Sequence, residues 1–444
     1  MSLRQRPDGA GIASPGESFA TGLRTQLAPS WPRLGQALAL LSAGLCLGFL
    51  PVCRGLGGRL GSGLPGGGFG SLAWAEDQAI ENLRVRPDPK FVAPKGYVCF
   101  RAGGALTIDG KLDEPAWQQA AWTDDFVDIE GTAKPAPRFR TRARMLWDNE
   151  YFYIAAELEE PHAWGTLTEH DAVIFHDNDF EVFVDPDGDC HRYGEFEINA
   201  LNTGWDLLLP KPYKDGGQAD NGWEIPGLKT AIGIEGTLND PTDTDRRWVV
   251  ELAFPWKVLG ALLPGVEPGQ GAPPDEGAQW RVNFSRVEWQ HELVGGKYSK
   301  VPKQPEDNWV WSPQHTINMH RPETWGVVQF STARVGTRPA REVRYKPDPL
   351  LPIRWQLSRV YYAQQAHRAR HGAFATDLTQ LDLTRLEDDL LTGPLTLQPR
   401  AEGYEVWAPV RLPGGDDVTC VIDHESRFTV RGTNAPPSND GARQ

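Results

Sequence analysis

The 444-residue chain has few cysteines, few methionines and no excess of basic residues. Of its five cysteines only Cys99, Cys190 and Cys420 lie beyond residue 75, and this odd number allows one disulfide bridge at most. The formal net charge of −14 at pH 7 argues against nucleic acid and anionic membrane surfaces as partners. No nucleophile elbow, P-loop or zinc-protease helix appears, so these recognisable enzyme signatures are excluded.

The N-terminal segment carries the signals of an exported protein. Residues 34–50 are apolar and uncharged, arginines precede them, and Ala73-Trp74-Ala75 offers a small-x-small cleavage site before Glu76. Residues 1–75 are therefore predicted to be a signal peptide, or a retained membrane anchor, with a Gly-rich spacer. We expect the protein to be secreted, periplasmic or attached to the cell envelope.

Between residues 99 and 332 the apolar residues alternate with the period of two that is typical of β-strands. The alternating segments are residues 142–147, 151–157, 180–185, 193–199, 248–254, 280–286 and 325–330. Short strands without long helical patterns predict an all-β fold, an antiparallel β-sandwich.

Regions rich in proline flank this domain. Residues 76–98 are predicted to be an extended lead-in, and residues 333–352 a Pro-rich linker. Beyond the linker, apolar residues fall on one helical face before Gly372, and three short alternating runs follow. We therefore expect residues 353–432 to form a small α+β appendage and residues 433–444 a disordered tail.

Several motifs occur in a fixed order in the sandwich region. They are Ile108-Asp109-Gly110-Lys111-Leu112-Asp113-Glu114-Pro115-Ala116-Trp117, Leu146-Trp147-Asp148 before Tyr151-Phe152-Tyr153, Asp179-Phe180-Glu181-Val182-Phe183-Val184-Asp185, Val250-Glu251-Leu252-Ala253-Phe254-Pro255-Trp256 and Trp325-Gly326. In this order they resemble carbohydrate-binding module family 9 over residues 100–330. The resemblance implies an antiparallel sandwich that binds Ca²⁺ structurally and holds a carbohydrate ligand between aromatic rings, often beside a partner glycosidase.

Aromatic residues are the candidate ligand-binding residues, because pyranose rings present apolar C–H faces that stack on aromatic planes. The resemblance places Phe175 at one stacking position and Met319 near the second, where the family has tryptophans. Trp309 and Trp311 are expected to supply the second ring. Three loop tryptophans are alternative platforms: Trp164, Trp205 and Trp223. Four other tryptophans are expected in the core: Trp117, Trp147, Trp248 and Trp280.

Two acidic segments are candidate calcium sites, since Ca²⁺ prefers oxygen ligands. The first is the opening motif with Asp109, Asp113 and Glu114. The second is the turn with Asp185, Asp187 and Asp189, whose spacing is also typical of an acidic hairpin turn.

Two other classes of function compete with sugar binding. If their strands pair, Glu181, Glu195 and Glu197 meet, and glycoside hydrolysis uses two facing carboxylates. The alternative interpretation is that the three glutamates occupy outward positions of amphipathic strands. Histidines suggest a haem or metal site, although no C-x-x-C-H motif is present. These histidines are His162, His170, His176, His191 and, next to Met319, His320.

Overall fold

A computed structural model describes residues 91–381, 383 and 388–432. The predictions for residues 1–75, for most of the lead-in and for the tail at 433–444 lie outside the described residues. Within these ranges no helix combines the length and the apolar character that crossing a membrane requires.

The described residues form fourteen strands in the first region and four in the C-terminal appendage. The first fourteen are β1 Gly96–Arg101, β2 Val127–Asp128, β3 Thr141–Trp147, β4 Tyr151–Glu159, β5 Asp179–Asp185, β6 Tyr193–Asn199, β7 Gly204–Leu209, β8 Lys229–Glu235, β9 Arg247–Pro255, β10 Gln279–Glu288, β11 His291–Val294, β12 Lys297–Lys300, β13 Asp307–Val310 and β14 Gly326–Arg334. The helices are α1 Pro115–Gln119, α2 Trp256–Leu259, α3 Arg338–Glu342 and α4 Leu351–His371.

The main sheet has the strand order β7-β6-β5-β10-β14-β1-β3-β4-β9-β8. Strand β1 lies between β14 and β3 and runs parallel to both, whereas the other neighbours pair antiparallel. The prediction of a mostly β fold is confirmed. The prediction of a purely antiparallel sandwich is wrong, because β1 pairs in parallel with both of its neighbours, β14 and β3.

The sheet curls over a large apolar core. Phe196 of β6 and Phe254 of β9, near opposite edges of the sheet, meet with ring centroids 5.7 Å apart. On β6 the alternate residues Phe196 and Ile198 face this core, so Glu195 and Glu197 point away from it. The four tryptophans expected in the core are all buried, at 4% exposure or less.

The C-terminal appendage has its own small core. Four antiparallel strands, β15 Thr396–Pro399, β16 Tyr404–Arg411, β17 Asp417–Asp423 and β18 Phe428–Gly432, pack against α4. Helix α4 ends at Gly372, whose φ of 75° is the left-handed conformation that glycine adopts without strain. Buried α4 residues such as Ile353 and Leu357 contact this sheet through Val406 and Cys420.

Candidate functional site

A pocket of about 220 Å³ opens on the face of β5, β6, β7 and β10 that turns away from the core. Loops before β5, after β7 and before β14 surround it. It is lined by Phe175, Glu181, Phe183, Glu195, Glu197, Trp205, Leu207, Tyr213, Val287, Glu306, Asn308, Met319 and His320.

Phe175 and Trp205 form one aromatic wall of the pocket. Their ring centroids lie 6.5 Å apart with the planes inclined by 31°. Both backbone polar groups of Phe175 are hydrogen-bonded: its N–H donates to Glu197 Oε2 at 2.9 Å, and its carbonyl accepts from Trp289 Nε1 at 2.8 Å. The wall is therefore fixed by hydrogen bonds before any ligand arrives.

A second wall of the pocket consists of Tyr213, Met319 and His320. The rings of Tyr213 and His320 meet edge to face with centroids 4.5 Å apart. His320 Nδ1 lies 2.9 Å from the Tyr193 hydroxyl, and burial lowers the pKa of His320 to about 3. His320 is therefore a neutral aromatic wall residue at physiological pH.

Three carboxylates line the floor of the pocket, those of Glu181, Glu195 and Glu197. The carboxylate of Asp179 lies just outside the lining, with an oxygen within 4.8 Å of oxygens of Glu181 and Glu197, and we call the four together the acid floor. Strands β5 and β6 bring them together, since Glu181 pairs with Glu197 and Phe183 with Glu195 in the register. Each of the four residues is at most 6% exposed. Glutamates predicted to meet across strands do meet. The alternative prediction, outward positions on amphipathic strands, describes the same arrangement, because these side chains point away from the core and the loops around the pocket bury them.

Burial and mutual repulsion raise the pKa values of the acid floor. Burial is the largest cause for all four, and neighbouring carboxylates add to it for Asp179, Glu195 and Glu197. The pKa of Glu181 rises to about 7, mainly by the same burial, and the Glu306 carboxylate adds to the rise. The floor therefore favours bound protons or a bound cation at neutral pH.

The loops that carry Tyr213 and His320 are fastened to the appendage by a buried group of charges, which we call the charged contact: Lys214, Asp215, Arg321 and Glu323. Lys214 Nζ lies 3.5 Å from Asp215 and 3.8 Å from Glu323, and Arg321 Nε lies 3.2 Å from Glu323. From α4, the Tyr361 hydroxyl donates to Asp215 at 2.5 Å and the Tyr362 hydroxyl donates to Glu323. The appendage thus positions one wall of the pocket.

Three of the predicted ligand-binding residues line the pocket: Phe175, Trp205 and Met319. Trp309 and Trp311 do not, because both are 2% exposed or less and pack in the core. They stand two residues apart, and this spacing places them on the same core-facing side of the chain. The ring of Trp311 also lies against Gly326, which explains why the Trp325-Gly326 motif carries a glycine.

The remaining loop tryptophans lie elsewhere. Trp164 is buried and stacks on Tyr298 with centroids 6.3 Å apart. Trp223 packs against the core and approaches Gly194, whose neighbours on β6 face the pocket. Neither ring lines this pocket, so their role as platforms stays a prediction that the pocket does not support.

The opening motif is a structural anchor. The N–H groups of Asp109 and Gly110 both donate to Glu251 Oε2 at 3.0 Å, and Trp117 Nε1 donates to Glu251 Oε1 at 2.8 Å. Asp109 itself pairs with Lys111, and Glu114 accepts from the Thr107 N–H. Among the described residues, Asp109, Asp113 and Glu114 do not form a group spaced for one ion.

The second predicted calcium segment does form such a group. Carboxylate oxygens of Asp185, Asp187 and Asp189 lie within 4.8 Å of one another. Asp185 accepts from the Gly188 and Cys190 N–H groups, while Asp189 accepts from the His191 N–H and from Arg427 Nε at 2.8 Å. These bonds are also those of an acidic hairpin turn, so the calcium role stays a prediction.

The predicted histidines are spread over separate places. His170 Nδ1 contacts the Gly204 carbonyl at 2.9 Å, and its Nε2 lies near three carboxylates. His162 contacts His291 and Tyr298, and His191 borders the acidic turn. Sequence reasoning missed Tyr213 as a wall residue, since nothing in the loop pattern marks which of its side chains turns inward.

Comparison with known proteins finds a family that is similar to the segment carrying much of this pocket. Residues 108–267 match the family described as carbohydrate family 9 binding domain-like, which confirms the predicted resemblance for the segment that holds Phe175, the acid floor and Tyr213. The chain is also 29% identical over 82 residues to the endo-1,4-β-xylanase C of Paenibacillus barcinonensis. That stretch is 18% of this chain and spans only 7% of the xylanase.

Two solved structures are similar to part of this chain. Both are family 9 carbohydrate-binding modules from Caldicellulosiruptor kristjanssonii, one in complex with cellotriose and one with glucose. The first is 15% identical with a TM-score of 0.35 and the second 14% identical with a TM-score of 0.34. They cover 57% and 55% of this chain, and all of their own length is matched.

Proposed function

We propose that the pocket binds a sugar residue of a polysaccharide or glycan without cleaving it. The observation that carries the proposal is the Phe175 and Trp205 wall beside carboxylate and amide side chains, within the segment that matches the carbohydrate-binding family. A pyranose needs an apolar plane for its C–H face and fixed polar partners for its hydroxyls. The pocket offers both.

Calorimetry on the full chain tests this function, with glucose, cello-oligosaccharides and xylo-oligosaccharides as first probes and a glycan array as the broad search. Stacking contributes about 1 kcal/mol per ring beyond area burial, so Phe175→Ala and Trp205→Ala should each weaken binding by about five- to tenfold. Trp223→Ala is the matched control, because its ring lies outside the pocket. Absence of any glycan ligand would refute the function; loss of binding only in Trp223→Ala would refute the site.

The proposal includes export, structural calcium and a glycosidase partner. Export is supported by the apolar run at residues 34–50 and by Ala73-Trp74-Ala75. N-terminal sequencing should find the mature chain starting near Glu76 outside the cytoplasm, and an intact Met1 in a cytoplasmic fraction would contradict this. Calcium at Asp185, Asp187 and Asp189 should raise the melting temperature relative to chelator. The similarity to a xylanase segment supports a polysaccharide-degrading partner.

A second function, glycoside hydrolysis, is favoured by one specific observation. Carboxylate oxygens of Glu181 and Glu197 lie within 4.8 Å, and the pKa of Glu181 is raised to about 7, in the range of a general acid. If hydrolysis occurs, the full chain should release reducing ends from a bound polysaccharide and Glu181→Gln should abolish the release. Binding without release assigns the pocket to recognition alone.

A further inference from the structure

The acid floor has no ion pair among the described residues, although Lys300 interacts with Asp179 electrostatically over a longer distance. In residues 91–381 and 388–432, no Lys or Arg forms an ion pair with Asp179, Glu181, Glu195 or Glu197. Backbone donors reach only two of them, the Val287 N–H at Asp179 Oδ1 and the Phe175 N–H at Glu197 Oε2. Buried carboxylates are otherwise found paired or bound to metal, so the floor calls for a positive partner.

Two oxygens on the floor have no hydrogen-bond partner among the described residues. They are Asp179 Oδ2 and Glu195 Oε2, on side chains that are fully buried and 95% buried respectively. Glu195 lines the same pocket as Glu181 and Glu197 and adds a fourth carboxylate beside the group of three. An unpartnered buried carboxylate costs free energy that a bound cation would recover.

The number and type of donors select the kind of cation. Oxygens of Asp179, Glu181 and Glu197 lie within 4.8 Å of one another, close enough to share one ion. Ca²⁺ accepts several protein carboxylates in a flexible geometry, whereas Mg²⁺ keeps most of its waters and usually binds only one or two carboxylates. The donors are all carboxylate oxygens, which suit a hard cation and not a thiophilic one.

We propose that Asp179, Glu181 and Glu197 bind one Ca²⁺ ion on the floor of the pocket, with Glu195 as the fourth carboxylate beside it. This site is separate from the acidic turn, and it requires no sugar. If the proposed sugar binding is correct, the ion faces the sugar, and hydroxyl oxygens complete its coordination. Sugar binding would then depend on calcium.

Calcium titration of the full chain, after chelator treatment, tests the ion site by calorimetry. We expect Glu181→Gln/Glu197→Gln to lower the affinity of one site by at least tenfold. Asp187→Asn, in the acidic turn, should leave that site unchanged and serves as the matched control. Circular dichroism in chelator checks that the variants fold; Glu195→Gln, which keeps the group of three intact, gives a milder second variant with an expected several-fold loss.

Three results would overturn the ion site. The first is a wild type that binds no calcium at millimolar concentration. The second is a double variant that keeps the full calcium affinity and stoichiometry, and the third is a loss of calcium binding in Asp187→Asn alone. Binding of glucosamine oligomers that is equal in calcium and in chelator would also refute it, because an ammonium group would then be the cation of the floor. If calcium titration shows the ion site but neutral sugars bind equally well in chelator, only the coupling between calcium and sugar is refuted. The proposed function would stand.

Discussion

The acid floor and the charged contact are both buried groups of charge, yet they are built in opposite ways. In the charged contact, Lys214 and Arg321 face Glu323, and together they lower the pKa of Glu323 to about 2 against the effect of burial. On the acid floor, burial without a cation raises the pKa of Glu181 to about 7. Compensated charges lock a structure together, while uncompensated ones are retained where a ligand supplies the missing charge.

The largest expected effect comes from breaking the compensated group. Glu323→Gln leaves Lys214 and Arg321 buried with reduced neutralisation, and removing one partner of a buried ion pair costs about 3–5 kcal/mol. Urea denaturation should show this loss in the free energy of unfolding. Glu342→Gln, on the exposed helix α3, is the control and should change stability little. If Glu323→Gln lowers the free energy of unfolding by less than about 1 kcal/mol, the charged contact does not stabilise the fold in the way proposed.

The two groups should also give opposite pH dependences. The pKa of Glu323 is lowered by folding, so its stabilisation is present above the ordinary pKa of a glutamate and is lost as the pH falls towards about 2. The pKa of Glu181 is raised, so the folded state is most favoured below pH 4.5 and loses stability as the pH rises through about 7.

In chelator, we therefore expect the free energy of unfolding to fall by on the order of 1–3 kcal/mol between pH 5 and pH 8. Millimolar calcium should reduce this loss, because the ion replaces the protons on the floor. Thermal and urea denaturation at both pH values measure it. A stability that rises from pH 5 to pH 8 in chelator would contradict the assignment of the floor.

A neutral substitution on the floor should stabilise the protein where the same substitution in the charged contact destabilises it. At pH 8 in chelator, Glu181→Gln removes a buried carboxylate from a repulsive group and should raise the free energy of unfolding by about 1 kcal/mol. At pH 5, where Glu181 is protonated in the wild type, the difference should vanish. Destabilisation at both pH values would mean that the carboxylate is compensated after all.

The smallest expected effect concerns the link between the appendage and the pocket. Tyr361→Phe removes the hydrogen bond to Asp215 and should cost about 0.5–1.5 kcal/mol. Since Asp215 follows Tyr213 and Lys214 in the same turn, sugar affinity should fall two- to threefold without contact between Tyr361 and the ligand. Tyr345→Phe, whose hydroxyl makes no hydrogen bond to the described residues, is the control. Unchanged affinity in Tyr361→Phe would show that the appendage does not position the wall.

Local pattern predicted much of the fold and part of the site. The alternation of β5 and β6 places Glu181, Glu195 and Glu197 on one face, because Val182 and Phe196 occupy the core face. The same period, applied to Trp309 and Trp311, assigns both to the core, although the resemblance suggested a stacking role. The resemblance found Phe175 because the residue stands at a fixed distance before a strand.

The sequence by itself determined the strands, their inner and outer faces, the family motifs and three of the four carboxylates of the floor. Only the tertiary structure decided that loops bury this outer face, that Tyr213 and His320 close the pocket, and that Tyr361 of the appendage holds the turn that carries Tyr213. The reason is physical: strand alternation is set by neighbouring residues, whereas the docking of loops depends on contacts between residues more than a hundred positions apart.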